Sequence, residues 1–95
     1  MSKYDLMVIV DGQKTQEQKE AVFKQASEAV TKTGGKIINN QVWLEKHKFH
    51  FKIKHCLEGT YYLVKFEAPT SSIEKAKQIL RLNDDILRYL FIKVE

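Results

Sequence analysis

The residues best placed to do chemistry are consecutive: Lys46-His47-Lys48-Phe49-His50-Phe51-Lys52-Ile53-Lys54-His55. In a β-strand successive side chains point to opposite faces. Lys46, Lys48, His50, Lys52 and Lys54 then share one face, while Phe49, Phe51 and Ile53 share the other, flanked by His47 and His55. Such a strand buries aromatics and offers a row of ammonium groups, which suits a polyanion. The chain has 16 Lys and Arg against 12 Asp and Glu, a formal net charge of +4. This window holds four of the lysines and no acid, so the remainder is balanced and the net charge comes from this segment. A solvated edge strand is the competing reading, since lysines deter edge-to-edge aggregation. One or two charges suffice for that. Five basic positions on one face repel each other, and a polyanion would relieve the repulsion while releasing its own counterions.

Other reactive residue types make no catalytic constellation. There is no Gly-rich phosphate loop, nucleophile elbow or metal-spaced Cys/His pair. His47 and His50 have opposite strand parity, as do His50 and His55, so solvated or nucleic-acid-facing histidines are favoured over a metal site. Asp84-Asp85 reads as turn chemistry between a helix and a strand. Asp5 and Asp11 flank a strand without an evident acid–base partner. Cys56 follows His55 in a strand, where neighbours diverge, and reads as a buried or half-buried thiol. Trp43, Tyr61 and Tyr62 could stack on bases, although core or protein-interface roles are commoner for such residues.

The elements that position these residues follow from periodicity. Tyr4, Leu6, Val8 and Val10 alternate with Asp5, Met7 and Ile9, the pattern of a central strand covered on both faces. Thr15 and Gln18 form a capping box, opening an amphipathic helix over about 16–32 that buries Val22, Phe23, Ala26, Ala29 and Val30. Gly34-Gly35 stops it. A second strand starts at Lys36 with Ile38, Val42 and Leu44 on one parity, whereas Phe49, Phe51 and Ile53 have the other. One regular strand cannot keep both sets on one face, so a bulge is expected near Glu45–His47. Leu57-Glu58-Gly59 reads as a turn into a third strand, Thr60 to Glu67. After Pro69, Ser71 and Glu74 predict a second capping box and a helix over about 72–81, burying Ile73, Ala76, Ile79 and Leu80. Leu82 to Asp85 is a turn, and Ile86 to Val94 a last strand.

With right-handed crossovers, strand-helix-strand-strand-helix-strand is the split βαβ plan. It is an α+β fold: a four-stranded antiparallel sheet with both helices on one face, the other face uncovered. Residues 1–95 read as one domain, with 43% apolar residues to build a core. The lone Cys56 allows no internal disulfide and suits a reducing compartment. No apolar run approaches the roughly 20 residues of a membrane span, and Met1 leads directly into a strand without a signal or transit segment. Acylphosphatase-like hydrolases share the plan but need a Gly-rich loop with an arginine, which Asp11-Gly12-Gln13-Lys14 does not supply. The RNA-recognition motif also shares it, but requires an aromatic in the first strand, where Leu6-Met7-Val8-Ile9-Val10 has none.

Nearly the whole chain resembles the bacterial-type small-subunit ribosomal protein family number six. The resemblance rests on Tyr4-Asp5-Leu6-Met7-Val8-Ile9-Val10-Asp11, Gly34-Gly35-Lys36-Ile37, Trp43, the Phe49, Phe51, Ile53 run, Gly59, Tyr61-Tyr62 and Phe66-Glu67-Ala68. Its most specific piece is Arg81-Leu82-Asn83-Asp84-Asp85-Ile86-Leu87-Arg88-Tyr89-Leu90. The family's second strand usually carries a glycine after the tryptophan, two arginines and a proline. Here the glycine and proline are missing, one extra residue stands between Trp43 and Phe49, and His47 and Lys48 replace the arginines. The resemblance implies a ferredoxin-like fold and a non-catalytic role without cofactor or metal, in the small subunit of a cytoplasmic or organellar ribosome. It implies binding to small-subunit ribosomal RNA in the central domain, on the platform, with ribosomal protein number eighteen. Lys46, His47, Lys48, Lys52, Lys54, Arg81 and Arg88 are the expected RNA contacts, and Tyr4, Tyr89 and Phe91 on the exposed sheet surface and its edges the expected protein contacts. A protein-interaction domain whose basic strand meets an acidic partner is the alternative.

Overall fold

A computed structural model of the chain describes residues 2–53 and 56–94, and for residues 42–53, 56 and 57 it describes the backbone alone. The elements are β1 (Ser2–Asp11), α1 (Gln16–Lys32), β2 (Lys36–Ile53), β3 (Cys56–Ala68), α2 (Thr70–Arg81) and β4 (Ile86–Lys93). Every neighbouring pair is antiparallel, in the spatial order β2-β3-β1-β4. The ferredoxin-like split βαβ plan read from the sequence is the observed one.

Period-2 alternation in β1 decides which side of the sheet the helices cover. Tyr4, Leu6, Val8 and Val10 are buried together with Tyr62, Val64 and Phe66 of β3 and with Val22, Ala26, Ala29 and Val30 of α1. Leu80 of α2 and Ile86 of β4 complete this core. Tyr4 stacks on Phe66 with centroids 5.6 Å apart, and Phe23 stacks on Tyr62 at 4.3 Å. Tyr62, a candidate for base stacking, is a core residue, 1% exposed. Among the described residues the odd-numbered side of β1 has no second layer, as the split βαβ plan implies and unlike the reading of β1 alone as covered on both faces. Asp5 and Met7 are half-buried there, and Ile9 is buried in a small cluster with Leu87, Met7 and Tyr61 on the same side.

Helix ends follow local chemistry. The amide of Gln18 donates to Thr15 Oγ1 at 3.2 Å, and the Gln18 side chain accepts from the Thr15 amide at 3.0 Å, closing the expected capping box. Past Lys32, Gly34 takes φ +100°, a left-handed conformation cheap only for glycine. At α2 the expected Ser71/Glu74 box does not form. The helix begins at Thr70 with Pro69 as N-cap and no side-chain cap, so Ser71 and Glu74 already lie inside it. Proline presets φ near the helical value, and its carbonyl accepts from the Ser72 amide at 2.9 Å.

The β2–β3 pairing departs most from the sequence reading. Leu44 lies opposite Tyr61 and His47 opposite Gly59, so three steps along β2 match two along β3, placing a bulge at the expected Glu45–His47. Three more register shifts occur, between Ile37 and Asn39, between Val42 and Leu44, and between Lys48 and Ile53. Because of the first, Ile37 packs on the core opposite Phe66, and Ile38, the expected core residue, is 54% exposed. Because of the second, Val42 and Leu44 take register positions opposite Tyr62 and Tyr61, which belong to different sheet faces. Leu57-Glu58-Gly59 is not a turn but part of β3, and pairing continues to Ile53 opposite Cys56. The side chain of Cys56 lies outside the described residues.

Candidate nucleic-acid interface

The basic segment sits where the sheet narrows to two strands. β1 follows β3 only as far as Asp11 opposite Gly59, which is also where His47 pairs. Beyond that row β2 pairs only with β3, at Lys48 opposite Glu58 and, after a further register shift, at Ile53 opposite Cys56, as a short ribbon past the three-strand overlap. The side chains of Lys46, His47, Lys48, His50 and Lys52, and the whole of Lys54 and His55, lie outside the described residues, and so do the parity readings made for them. The register adds one feature that the linear window hides: Lys48 stands opposite Glu58. The Glu58 carbonyl accepts from the Gly12 amide at 3.0 Å, and its carboxylate is 3.5 Å from Gln13 Nε2, so this acid is held at the base of the ribbon.

Arg81 and Arg88, expected with the lysines, are elsewhere. In the order β2-β3-β1-β4 the basic strand and β4 are opposite edges, about 14 Å apart at the usual strand spacing. The turn between α2 and β4 brings the two arginines together. Asn83 organises it: its amide donates to the Leu80 carbonyl at 3.1 Å, and its carbonyl accepts from Ile86 at 3.1 Å. Its Oδ1 accepts from the Asp85 amide at 3.0 Å, and its Nδ2 donates to Gln25 Oε1 of α1 at 2.6 Å. β4 then starts with a bulge, Ile86 opposite Val10 but Arg88 opposite Ile9. As a result Arg81 and Arg88 line one surface depression of about 320 Å³ with Leu80, Ile86, Leu87 and Tyr89. This convergence was not readable from the sequence.

The uncovered sheet face is apolar over β3, β1 and β4. Leu63, Met7 and Leu90 are register partners across these strands, and Tyr61 pairs with Ile9 in the next row. Leu90 is 49% and Ile92 48% exposed. Toward the other end the face turns polar, with Asp5 opposite Lys65 and Lys3 opposite Glu67. Of the three residues expected on this surface and its edges, Tyr89 and Phe91 lie on the edge strand β4, and Tyr4 is on neither. Tyr4 is buried in the helix-side core, 6% exposed, and Tyr89 and Phe91 pack against that core at the same parity. Tyr4 shares its parity with Leu6, Val8 and Val10 and stands opposite Phe66, so it goes into the core with them.

The carboxylates weighed for acid–base work have structural duties. Asp11 Oδ1 accepts from the Gln13 amide at 2.9 Å, and Asp85 pairs with Lys14 at 3.3 Å. Among the described residues, no helix is long and apolar enough to cross a membrane.

Comparison with known proteins agrees with this geometry. The ribosomal protein S6 family model matches residues 3–93. Small ribosomal subunit protein bS6 of Campylobacter lari is 32% identical over 95 residues, covering all of this chain and 76% of that protein. The bS6 protein of Cereibacter sphaeroides is 30% identical, covering all of this chain and 71% of its own length. The crystal structure of 30S ribosomal protein S6 from Thermotoga maritima superposes with a TM-score of 0.83 at 21% identity, over 97% of this chain and 86% of that one. The chain thus belongs to the ribosomal protein S6 family, as a structural component of the small ribosomal subunit and not an enzyme.

Proposed function

We propose that the chain binds small-subunit ribosomal RNA, in the central domain on the platform, together with ribosomal protein number eighteen. The observation that carries the RNA part is the two-stranded ribbon. It extends past the end of β1, and the segment that contains the whole net charge runs into it. Lys46, His47, Lys48, Lys52 and Lys54 are its phosphate contacts. Such contacts set register and affinity and do not read base sequence. The apolar open face around Met7, Leu63, Leu90 and Ile92 is the surface for the protein partner, in place of Tyr4. A patch of this kind on an otherwise charged surface is characteristic of protein interfaces.

The test is a titration against a central-domain ribosomal RNA fragment, with and without protein eighteen, at several salt concentrations. Tight binding is expected only with the partner, with a log–log salt slope of a few units, about 0.9 per phosphate on duplex and less on single strands. Replacing Lys46, Lys48, Lys52 and Lys54 by Gln should cut that slope by about three units while leaving the fold intact. An unchanged slope would remove the ribbon from the RNA interface. Absence of RNA binding under all conditions would favour an acidic protein as the partner of the basic strand.

A further inference from the structure

The two edges of the sheet are built differently. β2, at one edge, is blunted: it shifts register four times against β3, carries Asn39-Asn40-Gln41 and runs on into the lysine-rich segment. Bulges and lysines of this kind keep another strand from pairing. β4, at the other edge, has neither through its middle. From Arg88 to Lys93 it follows β1 from Ile9 to Tyr4 without a shift, and Tyr89-Leu90-Phe91-Ile92 carries no charge. The Val94 amide donates to the Lys3 carbonyl at 2.8 Å, and the Gly12 amide donates to the Glu58 carbonyl at 3.0 Å. In an antiparallel ladder opposite residues alternate between pairs that exchange main-chain bonds and pairs that do not. Both bonds give the same phase: even-numbered residues of β1 bond to β3, and odd-numbered ones to β4. Leu90 and Ile92 therefore turn their main-chain groups toward β1. Tyr89, Phe91 and Lys93 turn theirs outward, where the described residues supply no further strand.

We propose that an extended segment of the protein partner adds to the free edge of β4 as a fifth strand, bonding through its main chain to Tyr89, Phe91 and Lys93. The proposal rests on the reading of the open face as the partner surface and states how the partner is held there. A regular row of outward donors and acceptors selects an extended polypeptide, whose own main-chain groups recur at the same spacing. RNA has no such repeat. The flanking side chains set the composition of the segment. On the open face Leu90, Ile92 and Val94 are 49%, 48% and 54% exposed, a row that same-face apolar residues of an added strand would cover. On the helix side Tyr89 and Phe91 are half-buried against the core, with Phe91 edge-on to Phe66 at 6.0 Å. Apolar residues of both parities thus fit the middle of the segment, and a carboxylate fits its end, opposite the exposed Lys93. A second copy of the chain meets the first requirement but not the second. An antiparallel pair of β4 strands centred on Phe91 places Tyr89 opposite Lys93, and it joins two molecules of formal charge +4.

The direct test is amide hydrogen exchange of the full chain, free and with protein eighteen. The amides of Tyr89, Phe91 and Lys93 should exchange fast in the free chain and slow by about tenfold or more in the complex. Those of Leu90 and Ile92, already bonded to β1, should change little. Lys93→Pro removes one outward donor and keeps the inward bonds of Ile92 and Val94, a change that an edge strand tolerates. It should weaken the complex about tenfold, the order of one lost main-chain hydrogen bond. Lys93→Gln, which keeps the amide, should weaken it less. Thermal melts report whether the proline variant folds, and the exchange pattern of the unsubstituted chain does not depend on it. In a stable complex, protection spread evenly over both parities of β4, or confined to β1 and β3, would overturn strand addition and leave the open-face reading intact. Slow exchange of Tyr89, Phe91 and Lys93 in the free chain that fades on dilution, with a dimer in sedimentation, would give this edge to a second copy and overturn the proposal. Absence of any complex with protein eighteen, with or without the ribosomal RNA fragment, would overturn both readings.

Discussion

A methyl group on Gly35 would lie 2.6 Å from Val30 Cγ1 and 2.8 Å from the Val30 carbonyl oxygen. That oxygen accepts from the Gly35 amide at 2.9 Å, so α1 ends by folding β2 tightly back over its own last turn. Gly35→Ala should therefore destabilise the fold by about 1–3 kcal/mol, the usual cost of overpacking. Chemical denaturation should show a lower midpoint at an unchanged m-value. Wild-type stability would mean that the loop yields. At this scale much was legible. Thr15 with Gln18, and glycines after a periodic helix, are signals carried by adjacent residues, and both are realised. The role of Tyr4 was not legible, because a tyrosine suits either a core or an interface. The choice depends on which parity of β1 meets the helices, and that is settled by Phe66, far away in sequence.

At the scale of elements, the sequence reads well where one period runs uninterrupted. β1, α1 and β4 start and stop within two residues of their expected ends because each has a single apolar period. β2 starts at Lys36 as expected but reads poorly beyond it, since it shifts register against β3 on both sides of the regular stretch Asn39 to Val42. Only one of those bulges left a trace, the parity change before Phe49. The others affect Ile38, Val42 and Leu44, which share one parity and so read as a regular strand. The open face follows from the same geometry. Once both helices lie on the even side of β1, the odd side must find its cover outside the domain. Leu90→Glu with Ile92→Glu should leave the fold intact, because both side chains are already about half exposed. The double variant should lose the partner-dependent part of RNA binding. Retained dependence on protein eighteen, measured in the same titration, would move the partner off this face.

For the whole molecule, net charge and charge placement make different predictions. Changing Lys46, Lys48, Lys52 and Lys54 of the basic segment to Gln takes the formal charge from +4 to zero. So does changing Lys24, Lys32, Lys75 and Lys77, all on the helices. If attraction to RNA were a property of overall charge, the two variants would lose affinity equally. The sheet separates the two sets: the ribbon extends one edge past the three-strand overlap, whereas the helix lysines sit on the layer that covers the core. Screening lengths of about 8–10 Å at ordinary ionic strength keep such separated groups from substituting for one another. The ribbon variant should therefore lose most of the salt slope and the helix variant little of it. Both should become less soluble near neutral pH, where net repulsion between molecules vanishes.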